Sequence, residues 1–165
     1  MVTRYWEWGF TLVEMMFVIA IMVILAAIVT PNYQTFMAQR RLNGAARQIM
    51  SDLMHARMQA VSQNNEFKVI FPNESSENKY EYKILDDDDN DGNKDDAEVL
   101  HTGNIQTDYY DVTVLANSNV IFQPNGTASD YGTARVRNVS GDRYIIVSSA
   151  GRVRIDKVPP PGWKL

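Results

Sequence analysis

From Phe10 to Val29 the chain runs for twenty residues without a lysine, arginine, asparagine or glutamine, and it carries a single charge, Glu14. As a helix the run is about 30 Å long, enough to cross a hydrocarbon core. Three placements compete. A cleaved secretory signal needs a short apolar stretch, a small-x-small cleavage site and then a break. Here Ala26 and Ala27 lie inside the run, and helical patterning continues past it. A plain membrane anchor leaves Glu14 unexplained, because a carboxylate at membrane depth costs about 2.5–3.5 kcal/mol on insertion scales. A third placement has to supply Glu14 with a partner, which a carboxylate at that depth usually has.

Beyond the run, Pro31 removes one helical hydrogen bond and predicts a kink rather than an end, because the period resumes. Leu42, Ala45, Ala46, Ile49, Leu53, Ala56 and Ala60 recur at spacings of three and four, an amphipathic stripe. Arg40, Arg41, Arg47, Gln48, Arg57 and Gln59 lie largely off it. The arginines read as a solvated face, with contacts to neighbouring subunits as the alternative. Gly44 costs about 1 kcal/mol inside a helix. The whole reads as one helix from Phe10 to about Asn64, roughly 80 Å long.

From Glu66 the period changes to two. Strands are expected at Glu66–Phe71, Lys79–Leu85, Ala97–His101, Val112–Leu115, Val120–Gln123, Thr133–Asn138, Arg143–Ser148 and Arg152–Asp156. Turn signals at Pro72-Asn73, Pro124-Asn125-Gly126, Ser140-Gly141-Asp142 and Ala150-Gly151 separate them. The natural architecture is α+β, a sheet with one face covered by the helix. The tail from Pro159, with three successive prolines, cannot continue a central strand and is expected to be extended and mobile.

The formal net charge of −4 is a poor guide, because it is unevenly spread. Residues 86–98 hold seven Asp, one Glu and one Lys, a local −7, which leaves +3 elsewhere. Acidic bulk charge argues against a dedicated nucleic-acid binder. The absence of cysteine excludes disulfide scaffolds, thiolate zinc sites and cysteine nucleophiles. The two histidines, His55 and His101, are too few for a histidine-rich metal site and read as structural or exposed. There is no glycine-rich phosphate loop, nucleophile elbow or metallohydrolase motif, and the clustered aspartates are too regular for an acid/base pair. The sequence does not read as an enzyme.

Asp87 to Glu98 fits D-x-D-x-D-G-x5-E at all twelve positions. A hard cation takes about six to eight oxygens, and alternate residues of a tight loop supply them. Asp87, Asp89 and Asp91 are the expected carboxylate ligands of a calcium ion. Gly92 permits the turn, Asn93 offers its carbonyl, Asp95 acts directly or through water, and Glu98 binds through both oxygens. Lys94 at the eighth position and flanks that read as strands argue against an EF-hand. The alternative is a solvated acidic run.

Between residues 134 and 157, Arg135, Arg137, Arg143, Arg152, Arg154 and Lys157 oppose Asp142 and Asp156, a local +4. Gly151-Arg152-Val153-Arg154 is expected to set two guanidinium groups on one face of a strand. The plain reading is an exposed face or ion pairs to the acidic loop. The sharper one is phosphate contact with DNA, with Tyr131 and Tyr144 available to stack.

Gly9-Phe10-Thr11-Leu12-Val13-Glu14 resembles the class III signal of type IV pilins and pseudopilins. The resemblance implies that a prepilin peptidase cuts after Gly9, that Phe10 becomes a methylated N-terminus, and that Glu14 pairs with an N-terminal ammonium during assembly. The leader departs from the family pattern: Arg4-Tyr5-Trp6-Glu7-Trp8 carries one basic residue and one acid. The amino terminus and Arg4 still bias the N-terminus weakly toward the cytoplasm. Ala46–Val61 resembles the helical segment of the GspH/FimT branch, and Ile121–Thr127 and Ile145–Val153 resemble its two C-terminal strand-turn elements.

What the resemblance implies is a type IV pilin-like fold: a leader at 1–9, a transmembrane or filament-core helix at 10–31, its amphipathic half at 32–64, a β-rich domain at 65–158 and a flexible tail at 159–165. The chain would be a minor pilin or pseudopilin, near the tip of a type II secretion pseudopilus or a type IV pilus. Its implied partners are the peptidase, other pilin subunits, an inner-membrane assembly platform and secreted cargo or DNA. It would cross the bacterial inner membrane once, with its C-terminal domain in the periplasm, and pass into a filament. Some pilins of this branch serve DNA uptake, and Gly151-Arg152-Val153-Arg154 resembles their basic element.

Overall fold

The computed structural model describes residues 9–87 and 99–163, the side chains of residues 29–32 and 87 excepted. Among the described residues one α-helix, α1 (Leu12–Gln63), precedes nine strands: β1 (Glu66–Ile70), β2 (Glu81–Asp87), β3 (Val99–Asn104), β4 (Thr113–Ala116), β5 (Val120–Phe122), β6 (Ala128–Asp130), β7 (Thr133–Asn138), β8 (Gly141–Val147) and β9 (Val153–Asp156). The chain divides into two compact units, the second beginning at Ala38.

The first unit is the N-terminal stretch of α1. Thr11 caps it, accepting the Glu14 N–H on Oγ1 at 3.2 Å, while its carbonyl accepts the Met15 N–H at 3.2 Å. The helix runs on through Pro31, so proline removes a donor there without ending it. It stops at Asn64, whose φ of 58° is left-handed, and the Asn65 N–H returns to the Ala60 carbonyl at 3.2 Å. This is a Schellman-type end with asparagine in glycine's usual place.

In the second unit the expected stripe is the buried face of α1. Leu42, Ala45, Ala46, Ile49, Leu53, Ala56 and Ala60 are all essentially inaccessible. Four alanines keep that face shallow, so the strands lie close. Gly44 has a packing reason: a Cβ there would come within 2.7 Å of the Tyr109 ring.

Two antiparallel sheets share this core, where a single sheet was expected. One has the order β3-β2-β1-β5-β6, the other β4-β7-β8-β9. Phe67, Val69, Ile84 and Phe122 from the first meet Val114, Val136, Ile145 and Val147 from the second in one hydrophobic cluster with α1. Alternation predicts which residues face inward, but not which strands pair. β6 was not expected: it is three residues long, with Ala128 its one apolar side chain.

The tail, expected to be mobile, is docked through Trp163. Its ring packs edge-on against Tyr144 of β8 at 5.2 Å, and the Arg135 guanidinium lies 5.4 Å from its centre. Outward-facing Arg135 and Tyr144 are cross-strand partners and form a platform for the indole.

Candidate functional site

The Gly9–Phe10 bond precedes α1, and both residues are exposed, Phe10 at 78%. The peptide bond the sequence marks for cleavage is therefore outside regular structure. Glu14 follows at the third helical position, exposed, with its N–H held by Thr11. A carboxylate there is favoured by the helix N-terminus, a local role the sequence reading did not assign. Glu14 apart, the helix from Leu12 to Ile28 is built of apolar, exposed residues, and the most apolar eighteen-residue stretch of α1 has a mean hydropathy of 2.9 with none of it buried. By length and composition such a helix fits a membrane span.

The polar residues of the amphipathic half do more than face solvent. Arg41 donates through two nitrogens to Asp111, Nε–Oδ1 2.7 Å and Nη2–Oδ2 2.9 Å, and lies 4.7 Å from the Tyr110 ring centre. The Asp111 carboxyl is held below its usual range, first by that hydrogen bond. Asn138 Nδ2 adds bonds to the Ala38 carbonyl at 2.8 Å and to Asp111 at 3.2 Å. Asp52 accepts the Tyr82 hydroxyl proton, and burial together with that carboxylate pushes the phenol well above its ordinary value. Tyr82 lies across Gly103, its cross-strand partner, where a Cβ would be 2.2 Å from the ring.

Arg57 marks a junction. Its Nε donates to the Gly126 carbonyl at 2.8 Å. Gly151, at a φ of 71°, packs on the same carbonyl so closely that a Cβ would lie 2.1 Å from it. The Ala128 N–H also reaches the Ser149 carbonyl at 2.9 Å. Three segments that are remote in sequence, on α1, after β5 and after β8, therefore meet at one carbonyl oxygen. These are the segments that carry the sequence resemblance. Arg41 and Arg57, read as solvated, are struts.

At the basic end, Arg152 and Arg154 are both exposed, and neither side chain has a hydrogen-bond or ion-pair partner among the described residues. Arg137 instead pairs with Asp142 at 3.1 Å. Arg143 points inward, 9% exposed, and donates from Nε to Asn43 Oδ1 at 2.9 Å. Tyr144 is engaged by Trp163, while Tyr131 is 56% exposed.

Of the expected calcium ligands, Asp89, Asp91, Asn93, Asp95 and Glu98 lie outside the described residues, and Asp87 is described by its backbone alone, as the last residue of β2. β2 and β3 pair antiparallel, Glu81 opposite Asn104 and Leu85 opposite Val99, so the two ends that flank the acidic segment lie on neighbouring strands. His55 and His101, 46 positions apart, line one recess of about 330 Å³ with Asp52 and Gln59. Among the described residues no three histidine or carboxylate side chains, Asp52, His55 and His101 included, come together in a way that could hold a metal ion.

The family described as "Type II transport protein GspH" matches residues 45–151, about two thirds of the chain. In fold the chain is similar to the type IV minor pilin FimU of Pseudomonas aeruginosa in two crystal forms. Both are 21% identical, with TM-scores of 0.50 and 0.54, covering 69% and 73% of this chain and 91% and 92% of FimU. It is also similar to the minor pseudopilin EpsH from the Type 2 Secretion System of Vibrio cholerae, at 10% identity and a TM-score of 0.54, covering 74% of this chain and 99% of EpsH. No curated protein matches it at a significant level. A helix packed on antiparallel sheets, with the matched segments knotted at the Gly126 carbonyl, goes with the family match: the chain belongs to the GspH family of type II transport proteins, and its fold is that of the minor pilins and pseudopilins.

Proposed function

We propose that this chain is a minor filament subunit, cut by a prepilin peptidase after Gly9, held in the inner membrane by α1 and then drawn into or near the tip of a secretion pseudopilus or type IV pilus. The observation that carries this is the first turn of α1. An exposed Gly9–Phe10 bond, a lone carboxylate three residues into the helix and an exposed apolar surface occur together on a GspH-family domain. Glu14 selects and registers the incoming helix by meeting an ammonium group in low dielectric, where an unpaired carboxylate is costly. The domain from Ala38 remains in the periplasm or on the filament and presents its surface to neighbours or cargo. Its work is assembly rather than catalysis.

We propose further that calcium fixes the acidic segment, with Asp87, Asp89, Asp91, Asn93, Asp95 and Glu98 as ligands. The twelve-position spacing supports this, as does the antiparallel β2–β3 pair that brings the ends of the segment together.

The processing step is tested by intact mass. Full-length chain produced with a prepilin peptidase should begin at Phe10 and gain one methyl group, and a Gly9→Val variant should begin at Met1. Wild-type chain that keeps Met1 beside the active peptidase would refute processing. A second reading, DNA capture for uptake, is favoured by the exposed Arg152 and Arg154.

A further inference from the structure

We propose a phosphate-binding recess between α1 and the β8–β9 edge of the second sheet. It has a volume of about 380 Å³ and is lined by Gln39, Asn43, Arg47, Arg143, Ile155 and Lys157. Three cations line it, and among the described residues no carboxylate does. Arg143 is about nine-tenths buried, and among the described residues its guanidinium donates only to neutral oxygens: Asn43 Oδ1 at 2.9 Å from Nε and the Asp142 carbonyl at 2.7 Å from Nη1. The neighbouring Asp142 carboxylate faces the other side of β8, where Arg137 holds it.

A buried charge is expensive unless an opposite charge meets it. Among the described residues none does, and the two cations beside Arg143, Arg47 and Lys157, are exposed at the recess. One carboxylate would offset one of three charges. A phosphate group carries up to two charges and several acceptor oxygens, and it matches the guanidinium fork. Asn43 and Gln39 add polar groups at the rim. A recess of this size admits a compact headgroup, whereas a duplex backbone needs an open stripe of cations. Free phosphate and the phosphoglycerol headgroup of a lipid share this chemistry.

The test uses the full chain in a maltoside detergent, which is free of phosphate. Inorganic phosphate and glycerol phosphate are titrated at constant ionic strength and followed by 31P NMR and by Tm. Arg143 substitutions risk the fold, so the variants are Arg47→Ala and Lys157→Ala, both at exposed positions. Saturable binding that raises Tm and is weakened about tenfold or more in each variant supports the site, since a charged hydrogen bond is worth about that factor. Tighter binding of glycerol phosphate identifies a lipid headgroup, and tighter binding of inorganic phosphate identifies the free ion. Binding of neither, binding indifferent to both variants, or binding of duplex DNA alone through Arg47 and Lys157 would overturn the proposal.

Discussion

Arg41 grips both carboxylate oxygens of Asp111, at 2.7 and 2.9 Å, across seventy residues of sequence. The pair ties the early part of the amphipathic helix to the segment that leads into β4. Asp111 has a folded pKa below its ordinary value of 3.8, with the Arg41 hydrogen bond as the largest cause. A depressed carboxylate contributes stability that is present above the unfolded value and lost as pH falls through the folded one. Arg41→Ala and Asp111→Asn should therefore each lower Tm at pH 7, with the double variant little worse than the worse single. The gap to wild type should narrow progressively as pH falls below about 4. Additive losses across the cycle, or a gap that does not narrow on acidification, would show that the contact contributes little.

The junction at the Gly126 carbonyl should be intolerant. Gly151→Ala meets both a left-handed backbone and an oxygen 2.1 Å from the new Cβ, so a loss of at least about 2 kcal/mol is expected. Arg57→Ala should cost about 1–2 kcal/mol by leaving that carbonyl short of a donor. Urea unfolding measures both. A Gly151→Ala midpoint equal to wild type would mean that the turn relaxes freely.

Trp163 should behave as part of the domain. Trp163→Ala removes an edge-on aromatic pair and a cation over the ring, and a loss of about 1–2 kcal/mol follows. Quenching of Trp163 fluorescence by acrylamide, with the leader tryptophans replaced, gives the complementary reading: weak quenching for a docked indole, strong quenching for a free tail.

Calcium should raise the Tm of the full chain in detergent, and Asp89→Ala should abolish that rise. No shift at millimolar calcium, or a shift that survives the substitution, would remove calcium from the assignment.

Much of this molecule can be read from its residues, because helix burial is a local property. The stripe from Leu42 to Ala60 has the period of one buried face, and it is buried as read. Strand positions follow from alternation, although β2 starts two residues later than expected and β3 runs three residues further, to Asn104. Pairing is another matter. Whether β5 joins β1 or β4 depends on non-local contacts that no window of sequence contains. The same limit hid Arg41 and Arg57, whose partners lie about seventy positions away. It also hid the recess that His55 and His101 both line. β6 was missed because three residues with one apolar side chain carry no period. At the N-terminus the signal is concentrated in six consecutive residues, Gly9 to Glu14, so the candidate assembly site was legible without the fold.

The exposed Arg152 and Arg154 make the second reading separable from stability. The double alanine variant should unfold within about 0.5 kcal/mol of wild type, as surface substitutions do. If DNA is a ligand, that variant should lose salt-sensitive binding of the full chain to a labelled duplex. Undiminished binding would place the contact elsewhere.

The assembly role of Glu14 is tested most directly by incorporation. Full-length wild type and Glu14→Ala are produced at equal membrane levels beside a complete pilin-type assembly machinery, and filaments are sheared off and probed for the chain. Wild type in the filament fraction, with Glu14→Ala retained in the membrane although cleaved at Gly9, is the expected result. Equal incorporation of the two chains would contradict it.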